Sequence, residues 1–261
     1  MSSLEACDLA FSYGDSEVLR KVSLTIPDGK VTALIGANGS GKSTLLRLFA
    51  RLLRPVAGGV LMDGHPLHDL PTRQVARSLA VLPQNPEAPP DLCVAELALL
   101  GRYPHRPRFG GVQRRDREIA ERALARCGLN ELAQRALGTL SGGQRRLAWI
   151  AMALAQETGV LLLDEPTAAL DIAHALEVMD LLRSLSGDGG QTIVVAIHDL
   201  SLAARYADHL VAMTIDRQIL TGTPAELLTP ETLRRVYRVD AVVMPDPRTG
   251  TPLCIPYRST P

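Results

Sequence analysis

Nine consecutive residues, Gly36-Ala37-Asn38-Gly39-Ser40-Gly41-Lys42-Ser43-Thr44, constrain this chain more than any other stretch. They match G-x-x-x-x-G-K-[ST], and their surroundings suit the physical use of that pattern. Val31-Thr32-Ala33-Leu34-Ile35 reads as a buried strand entering the loop, and Leu45-Leu46-Arg47-Leu48-Phe49-Ala50 reads as a helix leaving it. Glycines let the backbone bend so that successive N–H groups face one concavity, and the helix N-terminus completes an anion site. Lys42 is then placed to reach the β- and γ-phosphates of a nucleoside triphosphate, and Ser43 to put its hydroxyl on Mg²⁺.

The rest of the chain narrows what such a site can serve. A length of 261 residues suits one α/β domain carrying a subdomain. The formal net charge is zero, so no global basic field recommends nucleic acid as a partner. Cys7, Cys93, Cys127 and Cys254 form no C-x-x-C pair, which argues against a zinc site or disulfide framework and fits a reducing compartment. Met1-Ser2-Ser3-Leu4-Glu5 has no basic n-region or apolar h-region, so no signal peptide is expected. No apolar run approaches the ~20 residues that cross a bilayer. Work at a membrane would therefore need other chains to do the spanning.

Patterning along the chain outlines the fold. Residues 4–26 read as β-structure, with Val22, Leu24 and Ile26 alternating against Ser23 and Thr25. A short strand is expected at 60–62, a helix at 72–78 and a strand at 79–82. Between 85 and 157 the texture turns helical, with helices expected at 94–100, 116–127 and 145–156. The loop Gly101-Arg102-Tyr103-Pro104-His105-Arg106-Pro107-Arg108 carries local positive charge, either as a solvated face or as a contact for a partner. Val160-Leu161-Leu162-Leu163 and Ile193-Val194-Val195-Ala196-Ile197 are continuous apolar runs, as parallel strands covered on both faces should be. Ile172, Leu176, Met179, Leu182 and Leu185 recur at helical spacing and are assigned to the core. Thr223-Pro224-Ala225-Glu226 is a capping box with proline at the first helical position. Residues 246–261 are proline-rich and expected to be a partly ordered tail.

Several residues can carry chemistry beside the loop. An apolar strand ending in Asp164 lets that acid face the Mg²⁺ that Ser43 also contacts. Glu165, one residue on, can lie by the γ-phosphate and polarise the attacking water as general base. Gln84 and His198 each follow a strand, where the amide can meet Mg²⁺ or water and the imidazole can meet the γ-phosphate. Tyr13 lies upstream, where its ring can stack on adenine. Leu140-Ser141-Gly142-Gly143-Gln144 is a glycine-rich turn with a hydroxyl, expected to open a helix at Arg145 and form a second anion site. One nucleotide does not need two such sites on one chain. Two chains facing head-to-tail would use both, each closing the other's ATP.

Leu-Ser-Gly-Gly-Gln, lying between the loop at Gly36–Thr44 and Leu-Leu-Leu-Asp-Glu-Pro-Thr, resembles the signature of ABC transporter ATPase subunits over about residues 4–240. The resemblance implies that Tyr13 is the adenine-stacking residue, Gln84 the Q-loop glutamine, Asp171 the D-loop aspartate and His198 the switch histidine. It also implies that Ser141, Gly143 and Gln144 act on the nucleotide of the partner subunit. Gly101-Arg102-Tyr103-Pro104-His105, Leu170-Asp171-Ile172-Ala173-His174 and His198-Asp199-Leu200 resemble the importer branch for iron–siderophore, haem and cobalamin, and ferric-siderophore importers best. Ala37, Leu147, Ala168, Ala169 and Asp216-Arg217 depart from the family's usual residues, but none of them removes a catalytic group.

The expectation is therefore a RecA-like P-loop NTPase core at 1–84 and 158–245, with an antiparallel β-subdomain and a helical subdomain inserted at 85–157. The resemblance implies an ATPase that uses ATP and Mg²⁺ as a homodimer, peripheral to the cytoplasmic face of the cell membrane. Its partners would be membrane-spanning permease subunits and, indirectly, an extracytoplasmic substrate-binding protein. Two other readings share the motifs. A DNA-repair ATPase typically splits them by a long coiled coil, and no sustained heptads separate Lys42 from Asp164. A translation-linked protein usually has two tandem cassettes, and this chain has one.

Overall fold

The computed structural model describes residues 3–107, 110–187 and 190–260. Met1, Ser2, Arg108 of the basic loop and Pro261 of the C-terminal stretch lie outside them. The chain opens with β1 (Leu4–Tyr13) and β2 (Ser16–Ile26), then β3 (Val31–Gly36), whose end leads through the glycine loop into α1 (Lys42–Phe49). Next come β4 (Ala57–Met62), β5 (His65–Pro66), α2 (Thr72–Ser78) and β6 (Leu79–Leu82). Three helices follow, α3 (Val94–Leu100), α4 (Arg114–Arg126) and α5 (Gly142–Ala155). The chain then alternates β7 (Val160–Asp164), α6 (Ile172–Gly187), β8 (Thr192–Ala196), α7 (Leu200–Tyr206) and β9 (His209–Met213). It closes with β10 (Ile219–Gly222), α8 (Pro224–Leu227), α9 (Pro230–Tyr237), β11 (Val239–Pro245) and β12 (Pro252–Ser259).

The central sheet has the order β10-β9-β3-β8-β7-β6, parallel except for β10. The continuous apolar runs sort by the strand period of two. Val31, Ala33, Ile35, Leu161, Leu163, Ile193 and Val195 point into one core with the helices α3 to α6. Leu34, Val160, Leu162, Val194 and Ala196 point into a second core, shared with α1 and the antiparallel sheet β2-β1-β4-β5. Both faces are thus covered, and only the strand ends are left for chemistry.

Pairing sets those ends side by side. Leu34 is in register with Ala196, Ala196 with Asp164, and Leu82 with Leu163. The carboxyl ends of β3, β8, β7 and β6 therefore form one rim, with ~4.8 Å between neighbours and ~14 Å end to end. Each expected strand-end residue leaves from this rim.

Several expectations are corrected. Residues 246–260 are more ordered than the partly ordered tail expected, because β12 pairs along β11 from Val239↔Ser259 to Pro245↔Pro252. The prolines mislead because Pro252 starts its strand and Pro256 sits at the register shift, where no ladder donor is needed. Ile172 is 82% exposed at the start of α6 and does not belong to the core, although Met179, Leu182 and Leu185 do. Helix α5 begins at Gly142 and not at Arg145, so the glycines form its first turn. Arg102 is neither solvated nor free for a partner. It is buried, with Nε on Asp116 at 3.2 Å and Nη1 on Ala155 O at 2.7 Å and Glu157 at 2.9 Å. Leu147, a departure from the family pattern, is buried in the helical core.

Candidate active site

Gly36 ends β3 with no room for a side chain, since a Cβ there would lie 2.5 Å from Ser40 Oγ and 3.0 Å from Met213 O. Gly41, at φ +103°, turns the chain into α1. Between them the loop wraps the Lys42 ammonium, which donates to Gly36 O at 2.7 Å and Ala37 O at 3.2 Å. Burial lowers the Lys42 pKa, opposed by the charges of Glu165 and Asp164. The cation is thus fixed at the mouth of an amide-lined concavity, where an anion gains most from it.

Ser43 Oγ donates to Asp164 Oδ1 at 2.9 Å, joining the start of α1 to the end of β7. Burial raises the pKa of Asp164, and the Ser43 hydrogen bond works in the opposite direction. Glu165 then takes a left-handed conformation, φ +50°, so its side chain leaves the line of the strand. Its carboxylate accepts Gln84 Nε2 at 2.7 Å on one oxygen and meets His198 Nε2 at 2.6 Å on the other. β6, β7 and β8 thereby deliver an amide, an acid and an imidazole to one point.

A cavity of about 550 Å³ opens over this point, lined by Asn38, Gly39, Ser40, Gly41, Lys42, Ser43 and Thr44 together with Tyr13, Gln84, Glu165 and His198. Tyr13 is half-exposed at its far wall, held edge-on by Phe11 with ring centroids 4.8 Å apart. The volume and the mix of amides, one cation and one free ring face suit a nucleotide. Ser43, Asp164 and Gln84 offer only hard oxygen donors, which suits Mg²⁺. Among the described residues no group of three His, Cys, Asp or Glu side chains could hold a metal alone. Such an ion would take its other ligands from phosphate and water, as Mg²⁺ commonly does.

Ser141, Gly143, Gln144 and Asp171 do not line this cavity. Ser141 caps α5, its Oγ accepting Gln144 N–H at 3.2 Å while Gln144 Oε1 accepts Ser141 N–H at 3.1 Å. Asp171 accepts His174 N–H at 2.9 Å and pairs with His174 Nδ1 at 2.8 Å. The His174 ring lies against Gly143, where any Cβ would overlap it. The chain therefore carries two separate sites, the cavity over Lys42 and a capped helix start backed by His174 and Asp171.

Two residues here escaped the sequence reading. Arg146 is buried and donates to four main-chain oxygens, Pro83 at 3.2 Å, Gln84 at 3.0 Å, Asp164 at 2.9 Å and Pro166 at 3.1 Å. Burial pulls its pKa down to about 10, against the charges of Asp164 and Glu165. Its signal was an arginine on the same helical face as Gly143, Leu147 and Ile150. His174 entered the sequence reading only as the end of the stretch Leu170-Asp171-Ile172-Ala173-His174, with no role of its own.

Comparison with known proteins agrees with this geometry. A family model described as ABC transporter matches residues 19–168. The iron(3+)-hydroxamate import ATP-binding protein of Bacillus subtilis (strain 168) is 46% identical over 257 residues, covering 98% of this chain and 96% of that protein. The ferric enterobactin transport ATP-binding protein of Escherichia coli (strain K12) is 42% identical over 260 residues, covering 100% and 96%. Among solved structures, a chain described as part of a metal-chelate type ABC transporter in an inward-facing conformation superposes with TM-score 0.86. It is 28% identical, with 99% of this chain and 98% of that chain covered.

Proposed function

The chain belongs to the ABC transporter family, and we propose on that footing that it is the ATP-hydrolysing subunit of an importer for iron–siderophore complexes. The convergence of Lys42, Ser43, Asp164 and Glu165 on one rim of the sheet carries the ATPase reading. Near-full-length likeness to import subunits for both a hydroxamate and enterobactin supports ferric siderophores as a class.

In this reading the loop amides and Lys42 hold the phosphates of ATP, and Tyr13 stacks on the adenine. Ser43, Asp164 and Gln84 would hold Mg²⁺, which when bound neutralises phosphate charge. The Glu165 carboxylate has about four lone-pair positions, and Gln84 and His198 occupy two. A water can take a third and be oriented for in-line attack, with Glu165 as general base and His198 beside the γ-phosphate. Catalysis is then positioning plus electrostatics.

A second copy of the chain, facing head-to-tail, would bring its Ser141 and Gly143 onto the same γ-phosphate, with its Gln144 and D-loop Asp171 beside that nucleotide. ATP closes the homodimer, and hydrolysis removes the group that bridges it. The core at 1–84 and 158–245 and the helical subdomain at 85–157 move relative to each other, and the groove beside Gln84 passes that motion to permease subunits. Among the described residues no helix is long and apolar enough to cross a membrane. The subunit would sit peripherally on the cytoplasmic face, with a substrate-binding protein delivering cargo on the other side.

The test is co-purification from detergent-solubilised membranes of the source cells, followed by identification of the permease and its bound ligand. A permease carrying a ferric siderophore supports the reading. Bound haem or cobalamin would move the protein to a sister importer class, and absence of any membrane partner would overturn transport.

A further inference from the structure

Gly36 is gripped from two sides. Its carbonyl accepts the Lys42 ammonium at 2.7 Å, and its N–H donates to the hydroxyl oxygen of Tyr237 at 3.0 Å. The second bond spans the chain from the last residue of β3 to the last residue of α9. Gly36 is also where β3 leaves the sheet, since its pairing with β8 ends at Leu34↔Ala196 and with β9 at Gly36↔Met213. At that point a main-chain donor turns out of the ladder, and an unpaired one is costly. Tyr237 supplies the acceptor.

We propose that Tyr237 is a positioning residue of the ATP site, its hydroxyl fixing the first residue of the phosphate loop and thereby setting how tightly that loop holds ATP. The proposal rests on the ATP-binding reading above. Tyr237 is well placed for it because α9 is itself held. Leu233 and Val236 are buried in the core, and Thr229 caps the helix start by accepting Thr232 N–H at 3.2 Å. Arg235 reaches Gln218 Oε1 at 2.7 Å, and its carbonyl accepts Ile215 N–H at 3.3 Å.

After Tyr237, Arg238 turns left-handed at φ +54° into β11. The chain end returns to the same place, with Thr260 N–H on Arg238 O at 2.7 Å. Burial pushes the Tyr237 phenol up to about 12, against the pull of the Gly36 N–H, so the group stays an O–H at working pH. The acceptor is thus fixed before nucleotide arrives, and the loop need not be ordered by ATP itself. The C-terminal segment, remote in sequence from every motif, becomes part of the scaffold of the phosphate site.

The Tyr237→Phe variant keeps the ring and deletes only the acceptor. In the full chain with Mg·ATP, KM and the calorimetric Kd for ATP should rise about three- to tenfold, the worth of one hydrogen bond. kcat should stay within about twofold, and the nucleotide-free melting temperature should fall by only a few degrees, the share of the orphaned Gly36 N–H. A Phe variant with wild-type KM and Kd would overturn the proposal. So would a fall in melting temperature and kcat with KM unchanged, because that marks a packing role alone. Wild-type chain that binds no ATP would instead overturn the ATPase reading, and this inference with it.

Discussion

Arg146 donates from Nη1 to the main-chain oxygen of Gln84 at 3.0 Å, tying the helix that opens at Ser141 to the strand end that carries the glutamine. The same guanidinium reaches the Asp164 carbonyl at 2.9 Å, so the cavity and the capped helix start are joined through one buried cation. Replacing it by methionine leaves four carbonyls without their donor. Arg146→Met should cost about 3 kcal/mol in urea unfolding. Arg146→Lys should recover less than half of that, because an ammonium cannot span the positions a planar guanidinium does. A fully stable methionine variant would show that water replaces these bonds.

Glu165→Gln keeps the size of the side chain but removes the carboxylate proposed as the base. ATP binding should persist, turnover should fall by at least about a hundredfold, and a nucleotide-bound dimer should accumulate in size-exclusion chromatography with ATP. Wild-type turnover in this variant would mean that another group activates the water.

Lys42 supplies the one ammonium held in the loop mouth, on Gly36 O and Ala37 O. Lys42→Ala should weaken ATP binding by roughly a hundredfold or more, since a charge-assisted contact in a partly buried site is lost. The measurement is equilibrium binding of labelled ATP, and unchanged affinity would count against the loop as the phosphate site.

Gly143 has no room for a Cβ because the His174 ring lies there, but that side chain is partly exposed and can swing away by giving up its Asp171 contact. Gly143→Ala should therefore leave the monomer's stability within about 1 kcal/mol of wild type. ATP turnover should drop at least about tenfold, because His174 and Asp171 are displaced from the helix start that a second copy uses in the proposed dimer. A variant that unfolds more easily but turns over normally would reverse this assignment.

Asp208 accepts Val31 N–H at 2.9 Å and pairs with Arg183 at 2.8 Å. Burial works against its charge, but the Arg183 and Val31 contacts outweigh it and hold its pKa below the ordinary carboxylate value. A depressed folded pKa gives stability that is present above the unfolded value of ~4 and lost as pH falls through the folded one. Asp208→Asn should thus cost about 1–2 kcal/mol at pH 7, and the gap to wild type should close as denaturation is followed down to about pH 3. A gap independent of pH would mean the carboxylate charge is not what matters.

Much of this was readable from residue order because the causes are local. The glycine loop, the apolar runs ending in Asp164 and before His198, and the capping box at Thr223 each encode their geometry within a few residues. Their physical needs (bendable backbone, period-two burial, a hydroxyl three residues before a glutamate) leave little choice of structure. The prolines after Met244 were just as local but ambiguous, since a proline at a strand start or bulge looks the same in sequence as one in a loose tail.

Partnership between distant segments could not be read that way. Nothing in the order of residues says that Arg146 faces four particular carbonyls, that Arg102 is buried on Asp116, or that Tyr237 reaches Gly36. Those contacts depend on which strands become neighbours and where each strand stops, and register decides that only once the sheet is assembled. The chain's own chemistry prescribed a phosphate loop and an acid to go with it. Long-range packing decided that the loop is held from the far end of the chain, and that Ser141 lies outside the cavity that Lys42 lines.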